Sequence, residues 1–331
     1  MDGMDKRELI CQTGRRLLEE RLVARTWGNV SCRADDDSFY ITPSGLDYTK
    51  TRPEDIVRYY PKTKTFDGTR KPSSEKGIHA AAYELFPEVN FVIHTHQTYA
   101  SALGLTGRDT ICITRLDDAQ LGGVAVSGYG LPGTRTLKNA VRKALSRGAH
   151  VVLMYKHGAL ICGRDRDDAM ARARLLEELT RQSCQSPVAP PMYPQKQALS
   201  DKLLAAVHDD FPHAKAVYTY ALANAAARKR GIHAQLDDMA QMIGGVLPCI
   251  PGWEWALRAA LRRHHAALIP GVGAIVCGRD EDDTEALGIL ANKAAICALH
   301  TEALGIPARI GLFDTAIMNF VYNQKYSKKK G

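Results

Sequence analysis

"FVIHTHQTY", residues 91–99, closes an apolar run on two histidines one residue apart. On a strand, residues i and i+2 project from one face. His94 and His96 therefore aim two imidazoles at one point, and Thr95 turns away. A second apolar run, "VVLMY" (151–155), is followed by His157, which supplies a third imidazole if the two strands converge. Three nitrogen donors and one open position describe a catalytic zinc site rather than a closed structural one. We expect one divalent ion per chain, zinc first, with manganese and iron compatible with the same donors.

Working outward, "GNVSCRADDDSFYITPSG" (28–45) alternates like a hairpin that turns at "DDD". A helix is expected over 74–86, with Ser73 or Ser74 as N-cap. Another runs over 137–148 and stops at Gly148. Residues 150–163 read as strand, turn, strand, and 165–183 as a long helix. Short, hairpin-linked strands mixed with helices point to an α+β layered domain.

The chain also repeats itself. "GALICGRDRDD" (158–168) returns as "GAIVCGRDEDD" (273–283), identical at eight of eleven positions. "LFPEVNFVIHTH" (85–96) is echoed by "DFPHAKAVYTY" (210–220), and "RLDDAQLGG" (115–123) by "QLDDMAQMIGG" (235–245). Read residue by residue from its end, the second echo replaces His94 and His96 by Tyr218 and Tyr220, while His157 becomes Val272. The histidines are thus an addition to a scaffold that exists without them. Nothing in the second half repeats residues 1–72. The division expected is a catalytic domain over 1–185, a proline-rich linker over 186–196 and a degenerate copy without metal ligands over 197–331.

Composition excludes several classes. Apolar residues make up 45% and charged residues 24% of 331, ordinary for a globular protein. The formal charge of +8 is spread along the chain apart from the terminal "KYSKKKG", which suits an anionic small-molecule substrate rather than nucleic acid. No run approaches a membrane span. The charged start has no apolar signal core, and none of the eight cysteines forms C-x-x-C. A cytoplasmic location with reduced thiols is expected.

Three small turns precede the histidines: "TWGNVS" (26–31), "TPSG" (42–45) and "PSSE" (72–75). Glycine lets backbone N–H groups approach an anion, and Ser73 and Ser74 stand at an expected helix start, where phosphate is favoured. Glu75 follows them. His79, one turn on, reads as a helix-face residue rather than a ligand.

As an ordered set, "TWGNVS", "ITPSG", "PSSE", "VIHTH" and "KHGAL" resemble the class II aldolase/adducin family, which includes L-fuculose-phosphate aldolase. The resemblance covers residues 5–180 and implies an α/β/α sandwich around a mainly antiparallel sheet, a tandem partial duplication in this chain, and a place in carbohydrate metabolism. It implies a divalent metal on His94, His96 and His157, and Glu75 as general acid/base. It maps the phosphate pocket onto Asn29, Ser44, Gly45, Ser73 and Ser74, with Thr26 and Gly28 beside them. The family's epimerases typically carry aspartate at the position of Glu75, so glutamate favours lyase or dehydratase chemistry. Two departures stand out. Trp27 replaces a small residue, and the tyrosine that the aldolases use before the paired glycines is absent, leaving Asp117, Asp118 or Tyr129 as candidates for a second acid.

The expected function is metal-dependent carbon–carbon cleavage through a stabilised enolate, retro-aldol in type, on a small ketose phosphate or related hydroxy-ketone. Glu75 shuttles the proton, its pKa raised by a closed apolar site. The alternatives are decarboxylation, dehydration or hydrolytic cleavage of a diketone on the same scaffold, and a non-catalytic, adducin-like role. Relatives assemble as fourfold rings, so a tandem chain implies a homodimer of pseudo-fourfold arrangement with two metals.

Overall fold

The structure, a computed structural model, describes residues 5–107, 115–184 and 195–325. It divides into two compact units, Met1–Ser183 and Cys184–Gly331. Most of the proline-rich stretch, Cys112 and the basic end of the chain lie outside the described residues. Among the described residues, no helix is long and apolar enough to cross a membrane.

The first unit is built on eight strands: β1 (Asn29–Asp35), β2 (Ser38–Ile41), β3 (Val57–Tyr60), β4 (Thr65–Phe66), β5 (Phe91–Thr95), β6 (Val124–Ser127), β7 (Val151–Met154) and β8 (Gly158–Gly163). They lie in the order β4-β3-β2-β1-β5-β8-β7-β6, antiparallel throughout except that β6 runs parallel to β7. Its helices are α1 (Lys6–Glu19), α2 (Lys76–Leu85), α3 (Thr98–Gly104), α4 (Arg115–Leu121), α5 (Arg135–Leu145) and α6 (Arg166–Ser183). One face of the sheet, including Val30, Phe91, Ile93 and Ile161, packs with Ile10 and Leu17 of α1, Leu103 of α3 and Leu176 of α6. The other, including Phe39, Val92, Val152 and Leu160, packs with Ile78 and Ala82 of α2 and Leu137 and Val141 of α5. This is the α/β/α sandwich around a mainly antiparallel sheet. Because helices cover both faces, β5, β7 and β8 are buried at every position, which explains their unbroken apolar runs. Each buried Val, Leu or Ile contributes about 1.5–3 kcal/mol.

The helix expected over 137–148 spans Arg135–Leu145, and two further boundary differences bear on the site. The strand β5 ends at Thr95, so His96 stands just past it. The N-cap of α2 is Glu75, and its side chain makes no capping bond. Ser73 sits two residues earlier, its Oγ accepting from the Glu75 N–H at 3.2 Å.

The second unit holds β9 (Lys215–Val217), β10 (Ile232–His233), β11 (Val246–Leu247), β12 (Ala266–Ile269) and β13 (Gly273–Val276), with α7 (Gln197–Val207), α8 (Tyr220–Ala227), α9 (Asp237–Met242), α10 (Glu254–His264), α11 (Glu281–Ala303) and α12 (Leu312–Lys325). Its main sheet runs β12-β13-β9, all antiparallel. In the first unit, β7-β8-β5 pair in the same way.

That pairing changes the register read from sequence. Thr95 lies opposite Ala159, and Val217 lies opposite Ala274, the residue that occupies the place of Ala159 in the repeated "GALICG"/"GAIVCG" segment. By strand pairing alone, the positions that match His94 and His96 are Ala216 and Tyr218, whereas the letter match pairs them with Tyr218 and Tyr220. Ladder pairing is decided by backbone hydrogen bonds, whereas the letter match follows only the shared Y-T-Y and H-T-H pattern. Val272 keeps its correspondence with His157.

Both hairpins open on a glycine for one reason. A Cβ on Gly158 would lie 2.2 Å from the Thr95 carbonyl oxygen, and one on Gly273 would lie 2.5 Å from that of Val217. The obstacle is backbone and cannot rotate away. Gly158→Ala is expected to lower stability by about 2–3 kcal/mol, read as a fall in the urea midpoint at unchanged slope. An unchanged midpoint would show that β5 and β8 yield freely.

Candidate metal centre

Strand pairing assembles the centre. His94, the penultimate residue of β5, lies on the face that carries α2 and α5, opposite Asn29 of β1 and Leu160 of β8. Thr95 turns away as expected, its hydroxyl donating to Gln97 Oε1 at 2.8 Å. Gln97 in turn donates to the Ala173 carbonyl of α6, on the opposite face. Lys156, with φ of 65°, turns the chain between β7 and β8 and leaves His157 beside the other two. The Nε2 atoms of His94 and His96 are 3.1 Å apart, and those of His94 and His157 are 3.2 Å apart. His94 and His157 are buried and stack with ring planes 5° apart. Among the described residues, this is the one group of three or more metal-ligating side chains that converges in this way.

The residues fit a metal ion. His94 Nδ1–H donates to the Ala159 carbonyl at 2.9 Å, which fixes the tautomer and leaves its Nε2 lone pair facing two other nitrogens. Lone pairs converging in a buried space repel unless a cation lies among them. Nitrogens about 2.0–2.1 Å from a shared tetrahedral zinc lie about 3.3–3.4 Å apart, close to the separations found.

Glu75 completes the centre. Its Oε1 is 2.9 Å from His157 Nε2 and its Oε2 is 3.2 Å from His94 Nε2. Placed at a helix start, its side chain ignores the helix and turns to the imidazoles. Burial pushes this carboxyl up, as expected of a closed site, but His94 and His157 outweigh it and hold Glu75 well below the usual carboxylate range. This direction is opposite to the raised pKa expected from the sequence.

The other expected residues fall into groups. The turns "TPSG" and "PSSE" are zipped together, Ser44 N–H donating to the Lys71 carbonyl at 2.9 Å and Ser73 N–H to that of Thr42 at 3.1 Å. Gly45 has φ of 73°. Ser74 is exposed and joins Glu75, Lys76, Arg135 and Lys138 in lining a cavity of about 590 Å³. Thr26 is half-buried in the turn before β1. Gly28 has φ of 80°, and a Cβ there would meet the His94 carbonyl oxygen at 2.4 Å. Trp27 stacks against His96, centroids 6.2 Å apart. Of the candidate second acids, Asp118 Oδ1 accepts from the Val124 N–H at 3.1 Å, Asp117 is half-buried in α4, and Tyr129 carries the Lys156 ammonium over its ring at 5.4 Å.

Two roles escape a reading of the sequence. Asn29, assigned to the anion pocket, donates its amide N–H to Glu75 Oε2 at 3.0 Å. His79 lies on α2 as expected and is fully buried there, and it contacts Asn29 Oδ1 and, at 2.6 Å, Ser31 Oγ. Burial, and then the neighbouring His94, push the His79 imidazole down to about 3. The folded state keeps it neutral while the unfolded chain protonates it below its ordinary 6.5. Stability from this group is complete above 6.5 and drains away as pH falls toward 3. The share lost by pH 4.5 is about 2–3 kcal/mol. Urea melts at pH 7 and 4.5 should show that excess pH dependence in the parent and not in His79→Gln. Equal dependence in the two proteins would contradict it.

Known proteins resemble this chain. The family model for the class II aldolase and adducin N-terminal domain matches residues 8–184. A probable L-ribulose-5-phosphate 4-epimerase of Mycoplasma pneumoniae is 30% identical, with 65% of this chain and 93% of the relative covered. A 5-deoxy-D-ribulose 1-phosphate aldolase of Bacillus thuringiensis serovar kurstaki is 31% identical, with 48% of this chain and 74% of the relative covered. A solved L-fuculose 1-phosphate aldolase superposes with a TM-score of 0.51 at 28% identity, covering 58% of this chain and 93% of its own.

Proposed function

The chain belongs to the class II aldolase and adducin family and is an enzyme of its metal-dependent aldolase type; from that premise we propose that it cleaves a carbon–carbon bond of a small ketose phosphate in a retro-aldol reaction. The observation that carries this reading is the placement of both Glu75 oxygens within 3.2 Å of the converging His94 and His157 nitrogens. His94, His96 and His157 are the residues that would hold the ion. When bound, a divalent ion supplies Lewis-acid stabilisation of the negative charge that develops as the bond breaks.

The chain's own residues account for the proton. In cleavage the proton of the hydroxyl that becomes the aldehyde carbonyl reaches the Glu75 carboxylate, and Glu75 then delivers a proton to the carbon next to the ketone; in the synthetic direction the carboxylate takes that proton back from the carbon and the new alkoxide is protonated. Asn29 holds Oε2 through its amide N–H. Trp27 walls the His96 side and limits water. Arg135 and Lys138 line the adjoining cavity beside Ser74 and Glu75 and offer local positive charge to a phosphate-bearing substrate, while Asp35, Asp36, Asp37 and Glu84 line other parts of it. The first unit carries this chemistry. The second is its metal-free counterpart, and the working assembly is a cytoplasmic homodimer with one zinc, or manganese or iron, per chain.

The test is a panel of ketose 1-phosphates and 5-phosphates, followed by NMR with protein of measured metal content. Two carbonyl fragments and about one equivalent of metal per chain support the reading. Inversion of a hydroxyl-bearing carbon without fragmentation would assign epimerisation instead. Metal-free preparations that keep full activity would remove the ion from the reaction.

A further inference from the structure

The network behind Glu75 is longer than its chemistry alone requires. Tyr83 Oη lies 2.7 Å from Ser31 Oγ, and Ser31 Oγ lies 2.6 Å from His79 Nδ1. His79 Nε2 contacts Asn29 Oδ1, and Asn29 Nδ2 donates to Glu75 Oε2. All five side chains are buried, and the members come from β1 and from α2 and its N-cap, with bonded partners up to 52 residues apart.

Hydrogen-bond chemistry allows this chain a single direction. The Asn29 amide presents its nitrogen to Glu75 Oε2 at 3.0 Å and its oxygen to His79 Nε2. That oxygen only accepts, so His79 Nε2 carries hydrogen. A neutral imidazole with hydrogen on Nε2 has a bare Nδ1, which accepts from the Ser31 hydroxyl. Ser31 has then used its proton and accepts from Tyr83. Every donor from the phenol to the carboxylate is assigned.

We propose that His79 is a positioning residue of the catalytic centre: clamped by Ser31 and Tyr83 as its neutral Nε2–H tautomer, it orients the Asn29 amide so that a fixed N–H engages Glu75 Oε2 and leaves Oε1 to carry the proton. This rests on the reading of Glu75 as the proton carrier. Nothing forces a fully buried helix residue to be histidine for packing alone. The position needs a donor at one edge and an acceptor at the other, held about a ring's width apart, between two polar groups that would otherwise be buried without partners.

Two amide substitutions separate the edges. Glutamine places a terminal N–H where imidazole Nε2 stands. Asparagine reaches only as far as Nδ1. His79→Gln should keep kcat within about threefold of the parent, whereas His79→Asn should lower kcat by about 10- to 100-fold with KM within twofold, at comparable thermal midpoints. Equal losses in both variants, or none in either, overturn the proposal. A second measurement needs neither substrate nor metal. Long-range ¹⁵N–¹H spectra of histidine-labelled metal-free protein should show His79 as the Nε2–H tautomer from pH 5 to 8, reverting to a mixture in Ser31→Ala. An Nδ1–H tautomer or a protonated ring overturns it. Full turnover in Glu75→Gln would instead strike the reading of Glu75, while the tautomer spectrum would still decide the clamp.

Discussion

Glu75→Gln should lose turnover by about 10²–10⁴-fold, the span that a positioned general acid/base contributes, while binding its metal as the parent does. The substitution is nearly isosteric, so the three imidazoles that converge beside it keep their places. It removes the group that can take and return a proton, whose two oxygens lie within 3.2 Å of the His94 and His157 nitrogens. Steady-state rates together with elemental analysis check the expectation. Retained activity with full metal would take the proton-transfer role away from Glu75. Lost activity with lost metal would make Glu75 a ligand first.

His157→Ala should act on the ion itself. His157 is 2% exposed, so its removal leaves a buried gap among groups with converging lone pairs, and a small ligand from solvent reaches it poorly. The loss in metal affinity should exceed the roughly 10- to 100-fold cost of removing an outer-shell partner. Competition with a chromogenic chelator gives the number directly. Affinity within tenfold of the parent would mean that His94, His96 and Glu75 suffice. The same variant should fall to background turnover, and added metal should restore part of it.

The contrast between these residues and His79 shows what a sequence reveals about such a centre. His94 and His96 are legible because a strand has period two, and two nitrogen donors at that spacing share one face and can reach one ion. His157 is legible because it follows a second run of strand-like residues. Glu75 is legible beside its serines, but its charge state is not, since the carboxyl's surroundings include imidazoles contributed 19 and 82 residues further along the chain. The roles of His79 and Asn29 are out of reach for the same reason. Their meeting depends on β1 lying between β2 and β5, an order that no local pattern specifies. The parallel edge formed by β6 is likewise invisible, because "VAVS" fits either direction. Hairpins and the helix α6 are legible because turn residues and 3.6-residue periodicity are local.

The shifted register of the second unit has a consequence for protein engineering. A designer wishing to install a metal there from the letters alone would mutate Tyr218 and Tyr220, and would place the second histidine at the first position of α8. The ladder instead nominates Ala216, Tyr218 and Val272 as the three grafting positions. Among the described residues β9 pairs only with β13, so such a graft would lack a counterpart of β1 and any equivalent of Asn29, and would be a binding site without the proton-handling apparatus. Ligation and catalysis are separable modules in this architecture, and the dividing line between them runs along one edge of β5.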